Sequence, residues 1–287
     1  MNGVARALVE DVSDTARWVA HYRALESERP GGILQDPLAR RLAGERGRAI
    51  AQALPKLSLE WMIPVRAKVY DELILEALAA GGVDVVLNLA AGLDTRPYRL
   101  PLPPALHWVE ADLPSIIAEK AALLAGERPA CELERVALDL TRPAELSALL
   151  SRFTASRQRV VVVTEGVLAY LDEADVRALA QALFAAPAVR LWLVEAAMPE
   201  VLARARRAWG KTLEPAGAAM KFAPASGLDF FSELGWHARS TRSLLDEAQR
   251  YRREMRFAAL ARTVTTWLRG HDAWRKLAMY GVLEKSD

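Results

Sequence analysis

The sequence predicts an α/β fold: a mostly parallel, doubly wound sheet with helices on both faces, a helical cap before it and helical insertions near the C-terminus. Three observations carry this expectation. The first 80 residues keep helical spacing throughout. From Val83 to Met198 five short apolar runs, "VDVVLNLA", "LHWVEAD", "LERVALD", "RVVVVTEG" and "VRLWLVEA", alternate with helical stretches such as "LPSIIAEKAALLAG" and "DEADVRALAQALFAA". Strands that alternate with helices are joined by crossovers, and crossovers make parallel pairs covered on both faces. Beyond Met198 the pattern loosens into helix and loop, with "WHARSTRS" and "LAMYGVLEK" as two late strands pairing at one sheet edge.

Taken in order, "TARWVAHYRALE" carries apolar residues at helical spacing, and "QDPLARRLAG" opens with Asp36 as N-cap and Pro37 at the first helical position. Residues 1–80 are therefore expected to form a cap that contributes to a ligand site. Residues 81–287 are expected to form the α/β domain, with substrate-pocket insertions at 199–227 and 243–276, the whole being one folding unit. The strands are expected to start near Val83, Leu106 and Val160.

Composition narrows the function. At 52% hydrophobic and 26% charged residues the chain has the balance of an ordinary soluble α/β protein. Its 38 basic residues against 36 acidic ones give a net charge of +2, far from what phosphate-backbone binding demands, so nucleic acid is not an expected partner. No run approaches the length of a membrane span and the N-terminus lacks the pattern of a secretory signal, so a cytoplasmic location is expected. Cys131 is the single cysteine, and the four histidines are scattered without ligand spacing. No metal site is expected.

The stretch "VVLNLAAGLDTRPYRL" holds the main functional signal. A strand that ends in Ala90-Ala91-Gly92 lets a ligand approach the backbone, and in an open parallel sheet ligands bind beyond the carboxyl ends of the strands. A dinucleotide would need Gly-x-Gly-x-x-Gly to seat its pyrophosphate on a helix N-terminus. The chain contains no Gly-x-Gly. A phosphate-free adenosine ligand fits better, and S-adenosylmethionine is such a ligand. The later strand ends agree with it. "HWVEAD" brings Glu110 and Asp112 about 20 residues past the small-residue turn, where an acid receives ribose hydroxyls; Asp112 is the one expected to do so. Asp139 of "VALDL" suits an adenine amino group, with Leu140 against the ring, and Glu165 of "VVVVTEG" suits an ammonium group. Each acid alone has an ordinary alternative as a helix cap or solvated loop residue.

In this order and spacing, "VLNLAAGLDTRPYRL", "HWVEADLP", "VALDL" and "TEGVLAYL" resemble the leucine carboxyl methyltransferase family. The likeness is to its bacterial branch of S-adenosylmethionine-dependent O-methyltransferases, which includes enzymes of polyketide tailoring. It extends upstream through "TARWVAHYRALESERPGGILQDPLA" and "VRAKVYDELI", and downstream to "FFSELGW". The resemblance implies a Rossmann-like class I methyltransferase fold. It also implies that Arg66 of "VRAKVYDELI" pairs with the methionine carboxylate, for which a planar, permanently charged guanidinium is well suited. The same resemblance assigns cofactor contact to Ala90, Asp112, Asp139, Leu140 and Glu165, and Ala90 stands where the family usually has Gly. Lys68 reads as a surface residue of the same helix.

Methyl transfer to a carboxylate needs positioning and no base, whereas a hydroxyl needs one. No histidine is an unambiguous base, so no catalytic residue is assigned, and the expected substrate is a small acidic or aromatic molecule. His21, Tyr170 and His237 are conceivable acid/base groups. Trp18, Trp61, Trp209, Trp267 and Trp274 read equally as pocket wall or as core. Asp94 and Thr95 read as caps of the helix after the first strand, while Arg96 and Arg99 pair with acids or face an anionic substrate. The basic run "QRYRREMRF" reads as a solvated helix face. The competing readings are a nicotinamide-dependent oxidoreductase and a cofactor-binding protein without transfer activity.

Overall fold

The computed structural model describes residues 9–10, 12–55, 59–156, 158–254 and 275–286 of the 287-residue chain. Seven strands form one sheet: β1 (Val85–Leu89), β2 (His107–Asp112), β3 (Glu132–Ala137), β4 (Val160–Val163), β5 (Val189–Ala197), β6 (Trp236–Ser243) and β7 (Ala278–Lys285). Their spatial order is β3-β2-β1-β4-β5-β7-β6. The first five are parallel, and β7 runs antiparallel between β5 and β6. The expected parallel sheet is present, and the two late strands do form the antiparallel edge.

Burial on both faces explains the apolar runs. Val85, Leu87 and Leu89 of β1 pack on one face with Leu149, Leu150 and Phe153 of α6 (Pro143–Ala155) and with Val176, Leu179 and Leu183 of α7 (Glu173–Ala185). Val86 points to the other face, where Val65, Val69, Tyr70 and Leu73 of α3 (Leu59–Ala79) cover it together with Val161 and Leu193. Along an extended chain alternate side chains take opposite faces, so a strand sandwiched between helix layers is apolar at most positions and pairs its polar exceptions, as Asn88 does by donating to Asp94 Oδ2 at 2.8 Å.

The N-terminal helices α1 (Val12–Ser27) and α2 (Ala39–Ala53) pack on each other and on the start of α3, burying Trp18, Tyr22, Ile50, Leu59 and Ile63. That cluster also takes in Trp209 and Leu213 of α8 (Pro199–Leu213), so the segment after β5 closes over the same side as the helical cap. Two sequence expectations fail locally. Helix α2 begins at Ala39, and Asp36 is not its N-cap. The Asp36 carboxylate is instead buried, accepting from the Thr95 hydroxyl at 2.8 Å with Arg23 at 3.4 Å. A guanidinium and a hydroxyl in a dry environment are stronger partners than the N–H groups of a helix start. Thr95, spent on Asp36, correspondingly makes no side-chain cap for α4 (Arg96–Arg99), whereas Asp94 does accept the Arg96 N–H at 3.0 Å. Residues 227–234 are wound as a 3-10 helix. Of the basic insertion at 243–276 the structure describes α9 (Leu244–Arg250) and its flanks; residues 255–274, with Trp267, His271 and Trp274, lie outside the described residues.

The register sets up the site. Leu89 pairs with Ala111, and Asn88 with Val163, so β1, β2 and β4 end side by side. The strand order reverses between β1 and β4, the switch point at which α/β sheets leave a crevice.

Candidate active site

A cavity of about 460 Å³ opens at this switch point, roofed by α1, the start of α3 and the segment around Trp209. All seven residues expected at a ligand site line it: Arg66, Ala90, Gly92, Asp112, Asp139, Leu140 and Glu165. A second groove of about 770 Å³ beside β3 shares Asp139 but none of the other six.

The β1 loop is shaped by two left-handed residues, Ala90 (φ 52°) and Gly92 (φ 48°). For alanine this conformation costs about 1–2 kcal/mol. The loop is pulled towards β2 by the Ala91 N–H donating to the Ala111 carbonyl at 3.3 Å and by the Gly92 N–H donating to Asp112 Oδ2 at 2.6 Å. Asp112 Oδ1 accepts the Leu113 N–H at 2.7 Å. Burial pushes the Asp112 carboxyl above its usual pKa although both N–H groups oppose this. Each of its oxygens keeps a second acceptor position. Glu110, two residues earlier, is fully buried away from the cavity against Lys120 Nζ at 2.7 Å and Arg135 Nε at 3.0 Å.

Asp139, beyond β3, accepts both the Thr141 N–H (2.9 Å) and its hydroxyl (2.7 Å), which hold its carboxyl below the ordinary range. Glu165, beyond β4, is held by two guanidiniums. Arg66 Nε donates to Oε1 at 3.0 Å, and Arg96 Nη2 lies 2.7 Å from Oε2. The sequence reading gave Glu165 an ammonium partner and left Arg96 open; here Arg96 is 2% exposed and braces Glu165 along with Asp71, Asp94 and the Ala67 carbonyl. Arg66 also faces Glu195 of β5, with Nη1 3.7 Å from Oε1. Burial works against its charge, but Glu195 and Glu165 outweigh it and hold the guanidinium above its ordinary pKa.

Of the conspicuous residues, Trp18, Trp209 and Tyr170 stand in the cavity wall, with the two tryptophan rings edge to face at 5.3 Å. Trp61, His21 and His237 do not line it. Burial and the nearby Arg40 depress the His21 pKa, and His237 is exposed on β6. Sequence reasoning passed over Thr15, Arg23 and Met62, which line the cavity from ordinary helical positions that no neighbouring motif marks. It also passed over Glu195, an acid near the end of an apolar strand and so carrying the same signal that picked out Asp112 and Glu165.

The profile of the leucine carboxyl methyltransferase family matches residues 16–184, more than half of the chain. The chain belongs to the leucine carboxyl methyltransferase family. A candidate S-adenosyl-L-methionine-dependent methyltransferase of Mycobacteroides abscessus is 36% identical over 179 residues, covering 58% of this family member and 57% of that protein. A similarly described protein of Streptomyces coelicolor is 37% identical over 176 residues, covering 58% and 62%. The chain thus spans about three fifths of the length of these relatives. Among solved structures, a DUF574 family protein from Streptomyces avermitilis superposes with a TM-score of 0.60 at 16% identity, over 95% of this chain and 97% of that one. A candidate methyltransferase from Thermobifida fusca gives the same TM-score and identity over 98% and 96%. At that identity the likeness is one of fold, and it extends the family member's architecture beyond residue 184 to nearly the whole chain.

Proposed function

We propose that this protein is an S-adenosylmethionine-dependent O-methyltransferase that methylates a carboxylate, or a hydroxyl, of a small acidic or aromatic molecule by in-line displacement in the cytoplasm. The observation that carries the reading is the convergence of Arg66, Ala90, Gly92, Asp112, Asp139, Leu140 and Glu165 on one cavity at the switch point. The name shared by the relatives supports it.

The donor set suits the cofactor. Small residues at 90–92 leave the loop open, a Cβ on Gly92 meeting only the Ala16 methyl at 3.5 Å. Asp112 would accept the ribose hydroxyls on its remaining lone pairs, and Asp139 with Leu140 would hold the adenine. Arg66 would take the methionine carboxylate. Glu165, already charge-paired, would meet the ammonium group through oxygen sites that its two guanidiniums leave open. When bound, the cofactor supplies an activated methyl group on a sulfonium.

The chain's own task is then alignment and exclusion of water. No histidine or cysteine lines the cavity among the described residues. Its carboxylates are engaged by guanidiniums or N–H groups, and burial keeps the Tyr170 hydroxyl protonated. A site with no spare base favours an acceptor that arrives ionised, as a carboxylate does at neutral pH. An acceptor oxygen forms its bond to the methyl carbon as the carbon–sulfur bond breaks, so an anion and a sulfonium become an ester and a neutral thioether without proton transfer. Incubation with S-adenosylmethionine and panels of acids and phenols, read by mass spectrometry for the gain of one methylene mass, tests this. Esters are expected, and methyl ethers of phenols alone would reverse the acceptor assignment.

A further inference from the structure

Glu195 lies outside the cavity lining, yet its carboxylate organises what lines it. Its Oε1 accepts the Gly166 N–H at 2.7 Å and stands 3.7 Å from Arg66 Nη1. Gly166 is left-handed (φ 72°), and a Cβ on it would meet both terminal guanidinium nitrogens of Arg66 at 3.2 Å. The terminal nitrogens of the guanidinium therefore lie close against residue 166, with Nε turned to Glu165 and Nη1 turned to Glu195. Among the described residues Arg66 donates its side-chain hydrogen bond from Nε to Glu165, and neither Nη1 nor Nη2 makes one. A guanidinium grips a carboxylate through two parallel N–H groups only when its plane is fixed.

We propose that Glu195 is a positioning residue: accepting the Gly166 N–H on the same oxygen that faces Nη1 of Arg66 as an ion pair at 3.7 Å, it orients the guanidinium for a ligand's carboxylate. The inference rests on the reading above that Arg66 receives the methionine end of the cofactor. Glu195 acts through Arg66 and touches no ligand. The dependence on glycine at 166 is part of the same device, since a methyl group there would displace the guanidinium by a few tenths of an ångström.

The test is calorimetry on the full chain with two ligands, S-adenosylhomocysteine and methylthioadenosine, which lacks the amino-acid tail. Glu195→Gln keeps an oxygen acceptor for the Gly166 N–H and removes the charge. It is expected to weaken S-adenosylhomocysteine by about tenfold, the scale of a charged contact, and to leave methylthioadenosine within about twofold. Gly166→Ala, which disturbs the same guanidinium from its other side, should show the same selectivity. In an Arg66→Ala background Glu195→Gln should cost little further, because its effect passes through Arg66. Equal losses for both ligands would make Glu195 a residue of the fold and overturn the proposal, as would an unchanged affinity for S-adenosylhomocysteine. Wild-type protein that binds neither ligand would defeat the cofactor reading itself and this inference with it.

Discussion

Two acids two residues apart on β2 have opposite surroundings, and the difference can be measured. Asp112 lines the cavity and Glu110 is sealed against Lys120 and Arg135. Asp112→Ala is expected to weaken S-adenosylhomocysteine binding by about 1–3 kcal/mol, the scale of losing hydrogen bonds to a charged group. Glu110→Ala should leave that affinity nearly unchanged and cost about 3–5 kcal/mol of stability, because Lys120 stays buried without its partner. Calorimetry and urea titration on both variants check the pair; reversed effects would exchange the two roles. Ala90 offers a third case. Relieving its left-handed strain gains about 1–2 kcal/mol, against about 0.5–1 kcal/mol for the added freedom of glycine. Ala90→Gly should therefore stabilise the protein by up to about 1.5 kcal/mol in a thermal melt. From sequence Ala90 was legible as a departure in chemistry; its φ of 52° was not, since nothing local distinguishes a strained alanine from a helical one.

Between elements, the strands read clearly and the joints between cap and sheet did not. Apolar runs ending in small residues exposed β1, and apolar runs ending in an acid exposed β2 and β4, since burial on both faces favours apolar residues. Arg96 shows what was hidden. It stood in the most conspicuous stretch of the chain, yet its partners Asp71 and Glu165 are 25 and 69 positions away and no periodicity links them. Four acceptors on α3, the β1 loop and the β4 loop meet at its one guanidinium. Arg96→Met should thus cost about 3–5 kcal/mol in urea titration by stranding buried carboxylates. Arg96→Lys should recover only a minor part, because an ammonium cannot span three directions at once. A lysine variant as stable as wild type would show that charge alone suffices there.

At the scale of the whole molecule, acid should loosen the cap. Asp94 is held below the ordinary carboxylate range despite burial, by Arg96, Lys120, Arg99 and Arg23, and Asp14 likewise by Arg46 and Arg17. A depressed carboxyl contributes stability that is present above its unfolded pKa of roughly 4 and is lost as pH falls through the folded value. Urea midpoints are expected to hold steady from neutral pH down to about 5 and then to fall steadily below about 4; a flat profile to pH 3 would mean that these pairs contribute nothing net. Neutral-pH thermal melts should separate the ligand classes. S-adenosylhomocysteine should raise the midpoint with concentration by mass action, and NAD should not.

The last described strand, β7, does not close the sheet at its rim; it slides in between β5 and β6, pairing Glu195 with Tyr280 and Thr241 with Gly281. During synthesis β6 is made more than thirty residues earlier, yet it has no seat in the sheet until residues 278–285 have left the ribosome. Until then β5 carries an open edge of Leu191 to Ala197, a run of the kind that pairs with other chains. The nascent protein must therefore wait, with that edge uncovered, for a segment translated about eighty residues after β5. A stop codon before Ala278 would leave that edge bare for good, and misassembly would concentrate in the interval between synthesis of β5 and of β7.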